Sequence, residues 1–314
     1  MVLDYYKLRE DPFGVTPDPR YLYLSASHRE ALASLSHGIQ SRRGFMSLVA
    51  MPGMGKTTIL FRLFNQLEGG ARTVFLFHSL STPTELLRAL LRDLGIVVDD
   101  EADTGSMQEQ LNRLLAAEAR LGRRVVVVID EAQNVEDSAL ELLRMLSNFE
   151  TTSYKLMQIV LSGQPQLRDR LASPGLLQLR QRISIFARLQ PFNAEETRLY
   201  VRHRLRVAGF DWKTSLFTPK ATALIAEFSE GIPRNINNIC FSALSLGSAL
   251  KQKSIGEEVV REALADLDID AGVTAPMEKK GERGGLAGRK PAGSQERFTW
   301  RQRIAAWVAP WMAG

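Results

Sequence analysis

Cysteine is almost absent. Cys240 is the single thiol in 314 residues, so the chain can form neither an internal disulfide nor a cysteine-based zinc cage. Its neighbours Ile239 and Phe241 mark it as a small buried hydrophobe. Histidine is scarce too: His28, His37, His78 and His203 share no metal-ligand spacing. No run of 18 apolar residues occurs, which removes the usual sequence criterion for a membrane-spanning helix. The opening Met1-Val2-Leu3-Asp4-Tyr5-Tyr6-Lys7 has no apolar signal core, and the expectation is a reduced, cytoplasmic protein. Excess charge is confined to one end. Of 40 Lys+Arg and 35 Asp+Glu, eight basic and three acidic residues lie beyond residue 270, so the net +5 sits there. The body is electrically balanced, and a basic overall balance is no argument that it binds nucleic acid.

Apolar residues make up 45% of the chain and charged ones 24%, the content of a globular protein. The length suits one large domain with a smaller one. Short apolar runs predict strands over 45–50, 73–77, 125–129, 157–161 and 183–189. Helical periodicity occupies 27–40, 57–67, 82–94, 107–121 and 137–147. The run Val125-Val126-Val127-Val128-Ile129 is the pattern of a strand buried on both faces. The alternation implies an α/β fold, a parallel sheet covered by helices. After Pro191 the pattern changes. Asn193 followed by Glu196 reads as a capping box, and helices follow over 194–208, from Thr218-Pro219, over 233–250 and over 257–267. The expected organisation is an α/β domain with its lead-in at 1–190 and a small all-helical domain at 191–270. A disordered Gly/Pro/Lys-rich linker at 271–296 and a Trp/Arg-rich tail at 297–314 complete it.

Two motifs carry chemistry. Met51-Pro52-Gly53-Met54-Gly55-Lys56-Thr57-Thr58 lies between the first strand and its helix, where Gly-rich backbone N–H groups and a helix N-terminus make an anion nest. There Lys56 reaches β- and γ-phosphates and the Thr57 hydroxyl binds Mg²⁺. The full phosphate-loop pattern asks for Gly at position 50, and this chain has Ala50, which is acceptable only with a negative φ. The second motif, Asp130-Glu131-Ala132-Gln133, ends the buried strand, at the tip where α/β sheets bind ligands. Asp130 suits Mg²⁺ positioning, and Glu131 can align a water or accept its proton. Together they predict an ATP- and Mg²⁺-dependent ATPase. No G-x-G-x-x-G opens the first helix, which argues against a dehydrogenase.

These motifs occur in order with Asp11-Pro12-Phe13, Thr16-Pro17-Asp18-Pro19, Gly163-Gln164-Pro165-Gln166-Leu167, Leu179-Arg180-Gln181-Arg182-Ile183 and Gly231-Ile232-Pro233-Arg234-Asn235-Ile236-Asn237. Over residues 4–268 the chain resembles the AAA+ ATPases and, within them, the general secretion pathway protein A (ExeA-like) group. The resemblance implies a P-loop core with a helical lid, and hydrolysis activated by assembly into a ring or filament. It implies Gln164, or alternatively Ser162, as the first sensor of the γ-phosphate, and Arg234 as the second. Arg182, which abuts the strand, or alternatively Arg180, would be the finger offered to a neighbouring subunit. The lead-in containing Phe13 would pack near the adenine, with Phe13 either touching the base or simply in the core.

Two features leave alternatives open. Arg198, Arg202 and Arg206 share a helix face that suits an oligomer or DNA surface, or plain solvation. The tail sets Arg297, Arg301 and Arg303 among Trp300, Trp307 and Trp311, a mixture suited to a membrane surface or to protein docking. The expected function is an ATPase remodelling protein partners of an envelope or secretion machine, peripheral at the inner face of the membrane. The alternative is a DNA-binding regulator of transposition or recombination.

Overall fold

The computed structural model describes residues 2–77, 82–99, 101–211 and 215–273. Of the linker expected at 271–296, residues 271–273 instead continue the last helix; residues 274–296 and the Trp/Arg-rich tail at 297–314, with its membrane or docking role, lie outside the described residues.

Five strands, β1 (Phe45–Val49), β2 (Ala71–Leu76), β3 (Arg124–Ile129), β4 (Met157–Gly163) and β5 (Ile183–Arg188), form one sheet in the order β2-β3-β4-β1-β5. Every neighbouring pair is parallel. In the central register Val127 lies between Val74 of β2 and Ile159 of β4. Side chains of β3 alternate between two cores, as the two-residue period of a strand requires. Val125, Val127 and Ile129 point into one and Val126 and Val128 into the other. Each fully buried valine contributes about 1.5–3 kcal/mol relative to exposure.

Twelve helices accompany the sheet among the described residues. α1 (Val2–Tyr6) and α2 (Ala26–Gln40) precede it; α3 (Lys56–Leu67), α4 (Pro83–Asp93), α5 (Thr104–Arg120), α6 (Asp137–Leu146), α7 (Pro165–Leu171) and α8 (Leu177–Arg182) connect its strands. α2 and α3 cover one face, while α4–α8 cover the other. After β5 come α9 (Ala194–Val207), α10 (Pro219–Phe228), α11 (Pro233–Ala249) and α12 (Glu257–Val273). The expected capping box opens α9: Asn193 Oδ1 accepts from the Glu196 N–H, and Glu196 Oε2 from the Asn193 N–H. These helices share a third core. The lead-in, expected with the sheet domain, contributes Tyr6, Leu8, Phe13 and Tyr21 to that helical core. Phe13 is 2% exposed and stands edge-on to Phe217 at 6.3 Å. It is a core residue and does not line the cleft described below.

The strand order sets up the site. Because β4 lies between β1 and β3, the loops leaving β1 and β3 flank the tip of β4 at the C-terminal edge of the sheet, where ligands of α/β folds sit.

Candidate active site

Phosphate-loop geometry follows from its glycines. Gly53 and Gly55 have φ of +79° and +83°, a region that side-chain-bearing residues rarely adopt. A Cβ on Gly53 would meet Arg234 Cβ at 2.7 Å. Ala50, the departure from the loop pattern, is not among the positive-φ residues. It is buried, and its N–H donates to the Gly163 carbonyl at 3.1 Å, so an alanine fits. Lys56 is buried, with Nζ 3.3 Å from the Ala50 carbonyl. Burial pushes its ammonium below the ordinary lysine range, while Glu131 and Asp130 pull it back. Pro52, Gly53, Met54, Gly55, Thr57 and Thr58 line the same cleft as Lys56, of about 310 Å³.

The acidic pair meets that loop. Thr57 Oγ1 donates to Asp130 Oδ2 at 2.8 Å, bridging α3 to β3 across β4. The fully buried Ser162 Oγ donates to Asp130 Oδ1 at 2.8 Å. One hydroxyl and one carboxylate fit Mg²⁺, which is held by one or two carboxylates together with substrate phosphates rather than by an all-protein cage. No cluster of three or more His, Cys, Asp or Glu suited to a metal occurs among the described residues. Glu131 sits at φ +52°, ψ +38°, a conformation costing about 1–3 kcal/mol for a non-glycine residue and found at functional sites. Its own N–H is held by Asp130 Oδ1 at 3.0 Å. Glu131 Oε2 accepts from Gln133 Nε2 at 2.5 Å and from Gln164 Nε2 at 3.0 Å.

The remaining expected residues separate. Gln164 lines the cleft and touches Glu131, whereas Ser162 is committed to Asp130. Arg234 opens α11 at the cleft wall, and its N–H donates to the Gly53 carbonyl at 3.2 Å. Arg182 is tied back to the end of α6, with Nη1 on Ser147 Oγ at 3.1 Å and on Asn148 Oδ1 at 2.6 Å. Arg180 is exposed. Sequence reasoning missed two contributors. Gln133 holds Glu131, and its Oε1 accepts from the Gln164 N–H at 3.0 Å. His28, in the first turn of α2, places Nε2 3.1 Å from the Met54 carbonyl and Nδ1 2.8 Å from Ser25 Oγ. A carbonyl only accepts, so Nε2 carries the proton and Nδ1 accepts from the serine. Burial lowers the His28 pKa, with the Met54 hydrogen bond opposing.

A parallel sheet, a glycine-rich loop feeding a helix and a carboxylate pair on the next strand but one define a class. Residues 39–171 match the AAA domain family, and the chain has the P-loop fold of the AAA+ ATPases. The chain is similar to general secretion pathway protein A of Aeromonas hydrophila, 40% identical over 244 residues, covering 78% of this chain and 44% of the relative. It therefore spans less than half that relative's length. Among solved structures, ORC2 of Aeropyrum pernix in ADPNP–ADP complexes superposes with a TM-score of 0.62 at 16% identity, covering 82% of this chain and 71% of that one. Drosophila ORC bound to DNA gives 0.63 at 19% identity, covering 87% and 67%. At such identities the likeness is one of fold.

Proposed function

We propose that the protein binds ATP with Mg²⁺ in this cleft and hydrolyses it to ADP and phosphate, in an assembly-dependent manner. The observation that carries the reading is the Thr57–Asp130 hydrogen bond with Glu131 strained beside it, in the cleft that Lys56 lines. In this reading the loop N–H groups from Gly53 to Thr58 and Lys56 bind the phosphates. Thr57 and Asp130 hold Mg²⁺, which when bound neutralises charge on the β- and γ-oxygens. Glu131 takes the proton of the in-line water, Gln164 orients that water, and Arg234 contacts the γ-phosphate from the lid. Arg180, exposed where Arg182 is engaged, is the better candidate for a finger reaching a second copy in a ring or filament. Turnover per subunit is expected to rise with protein concentration, and Glu131→Gln to lower it by about 100-fold or more while ATP stays bound. A wild-type protein inert at every concentration contradicts the proposal.

For the biological role, similarity to general secretion pathway protein A supports remodelling of protein partners in an envelope or secretion machine, from the cytoplasm or the inner membrane face. No helix of the described residues is long and apolar enough to cross a membrane; the proposed membrane link is the Trp/Arg-rich tail at 297–314. Liposome flotation of the full chain against a version ending at Ile269 tests that link, and equal flotation removes it. A DNA-binding regulator is the second reading, supported by Arg198, Arg202 and Arg206, all exposed along α9. Gel shifts on plain duplex that weaken steeply with salt support this second reading, and none at low salt ends it.

A further inference from the structure

The cleft has a second end, away from the phosphate loop. Its wall is the lead-in stretch 14–18 with Tyr21, Tyr23 and Phe192, closed by Tyr200 and Arg204 from α9. Arg204 is 7% exposed and makes no ion pair among the described residues. Its Nη1 donates to Tyr200 Oη at 2.8 Å and its Nη2 to the Gly14 carbonyl at 3.2 Å. The guanidinium lies 4.6 Å from the centre of the Tyr21 ring, and Nε is buried without a partner. Tyr200 Oη donates in turn to Asn237 Oδ1 at 2.8 Å. A buried cation without an anion is costly, and an apolar side chain would serve packing alone at least as well. Its placement calls for a reason other than stability.

That reason lies in what Arg204 holds. Beyond the pinned Gly14 carbonyl, the peptide groups of Val15 and Thr16 make no hydrogen bond among the described residues, although both residues line the cleft. An open peptide edge offers one donor and one acceptor side by side, beside an aromatic wall. That combination matches the edge of a nucleobase, which also presents a donor and an acceptor, and its face, which packs on aromatic rings. We propose that Arg204 is the positioning residue for the base of the bound nucleotide: by tying the Gly14 carbonyl to α9, it holds residues 15–16 across the end of the cleft so that their peptide edge meets the base. Asn237, at the far end of this relay, stands three residues after Arg234, on the same side of α11. One helix turn thus serves both the base end and the phosphate end. The inference rests on the nucleoside triphosphate reading of the cleft.

Calorimetry with two ligands tests it: ATP and inorganic tripolyphosphate, each with Mg²⁺, titrated into the full chain and into Arg204→Met. ATP affinity is expected to fall about tenfold or more, tripolyphosphate affinity to stay within about twofold, and the KM for ATP to rise with kcat unchanged. Should Arg204→Met not fold, Arg204→Lys carries the same expectation, because it keeps charge but lacks the two-pronged reach. Unchanged ATP affinity, or an equal loss for both ligands, overturns the positioning role. A wild-type chain that binds tripolyphosphate as tightly as ATP overturns it too, while leaving the phosphate site standing. A wild-type chain that binds neither ligand instead removes the nucleotide reading itself.

Discussion

Glu131 and His28 show how single residues set this site. Glu131 is held in a left-handed backbone by Asp130 and through its side chain by Gln133 and Gln164, so its carboxylate points one way before any substrate arrives. Pre-organisation of that kind removes reorganisation from the reaction step. His28 does the same for the loop, fixing the Met54 carbonyl from α2. Its pKa is lowered in the folded state, so the unfolded chain binds the proton more readily. The stability from neutral His28 is therefore complete above the unfolded value of about 6.5 and is lost as pH falls from there towards the folded value. Thermal unfolding followed from pH 8 to about 5.5 should show this loss, and His28→Gln should flatten it; an identical slope in the variant contradicts the assignment. Asp130 and Glu131 were legible because they end an unbroken run of buried β-branched residues. His28 and Gln133 were not, since a lone imidazole or amide gains its meaning only from a neighbour that the fold supplies.

At the level of elements, the phosphate loop packs directly against the start of α11. Gly53 has both a positive φ and Arg234 Cβ within 2.7 Å of where its own Cβ would lie. Gly53→Ala is expected to lower stability by about 1 kcal/mol or more through the backbone alone and to weaken ATP binding about tenfold. Denaturant unfolding and nucleotide titration check the two effects, and a variant matching the wild type in both contradicts this reading of the junction. Elements were legible to different depths. All five strands were anticipated, because each is an apolar run between turn residues. β4 runs two residues further than its apolar segment, through Ser162 and Gly163, since a small polar pair can remain in a ladder when Asp130 satisfies the hydroxyl. The seven- and six-residue helices α7 and α8 were invisible: too short for a periodicity, they carry Arg168, Arg170, Arg180 and Arg182 where an apolar face would have announced them.

Over the whole described chain, a sheet with two covered faces fixes the edge that carries the candidate site, and a helical core reaches that edge through Arg234, Tyr200 and Arg204. The lead-in joins the two by filling the helical core while its residues 14–18 line the cleft. That long-range packing could not be read from composition, because a proline-rich stretch gives no hint of which core will take its aromatics. The central claim is that the phosphate loop and the carboxylate pair form one nucleotide site. Calorimetric titration of ATP and Mg²⁺ into the full chain and into Lys56→Ala tests it most directly. The account predicts one site per chain, with affinity reduced about tenfold or more in the variant; no heat from the wild type, or the same affinity in both, would contradict it.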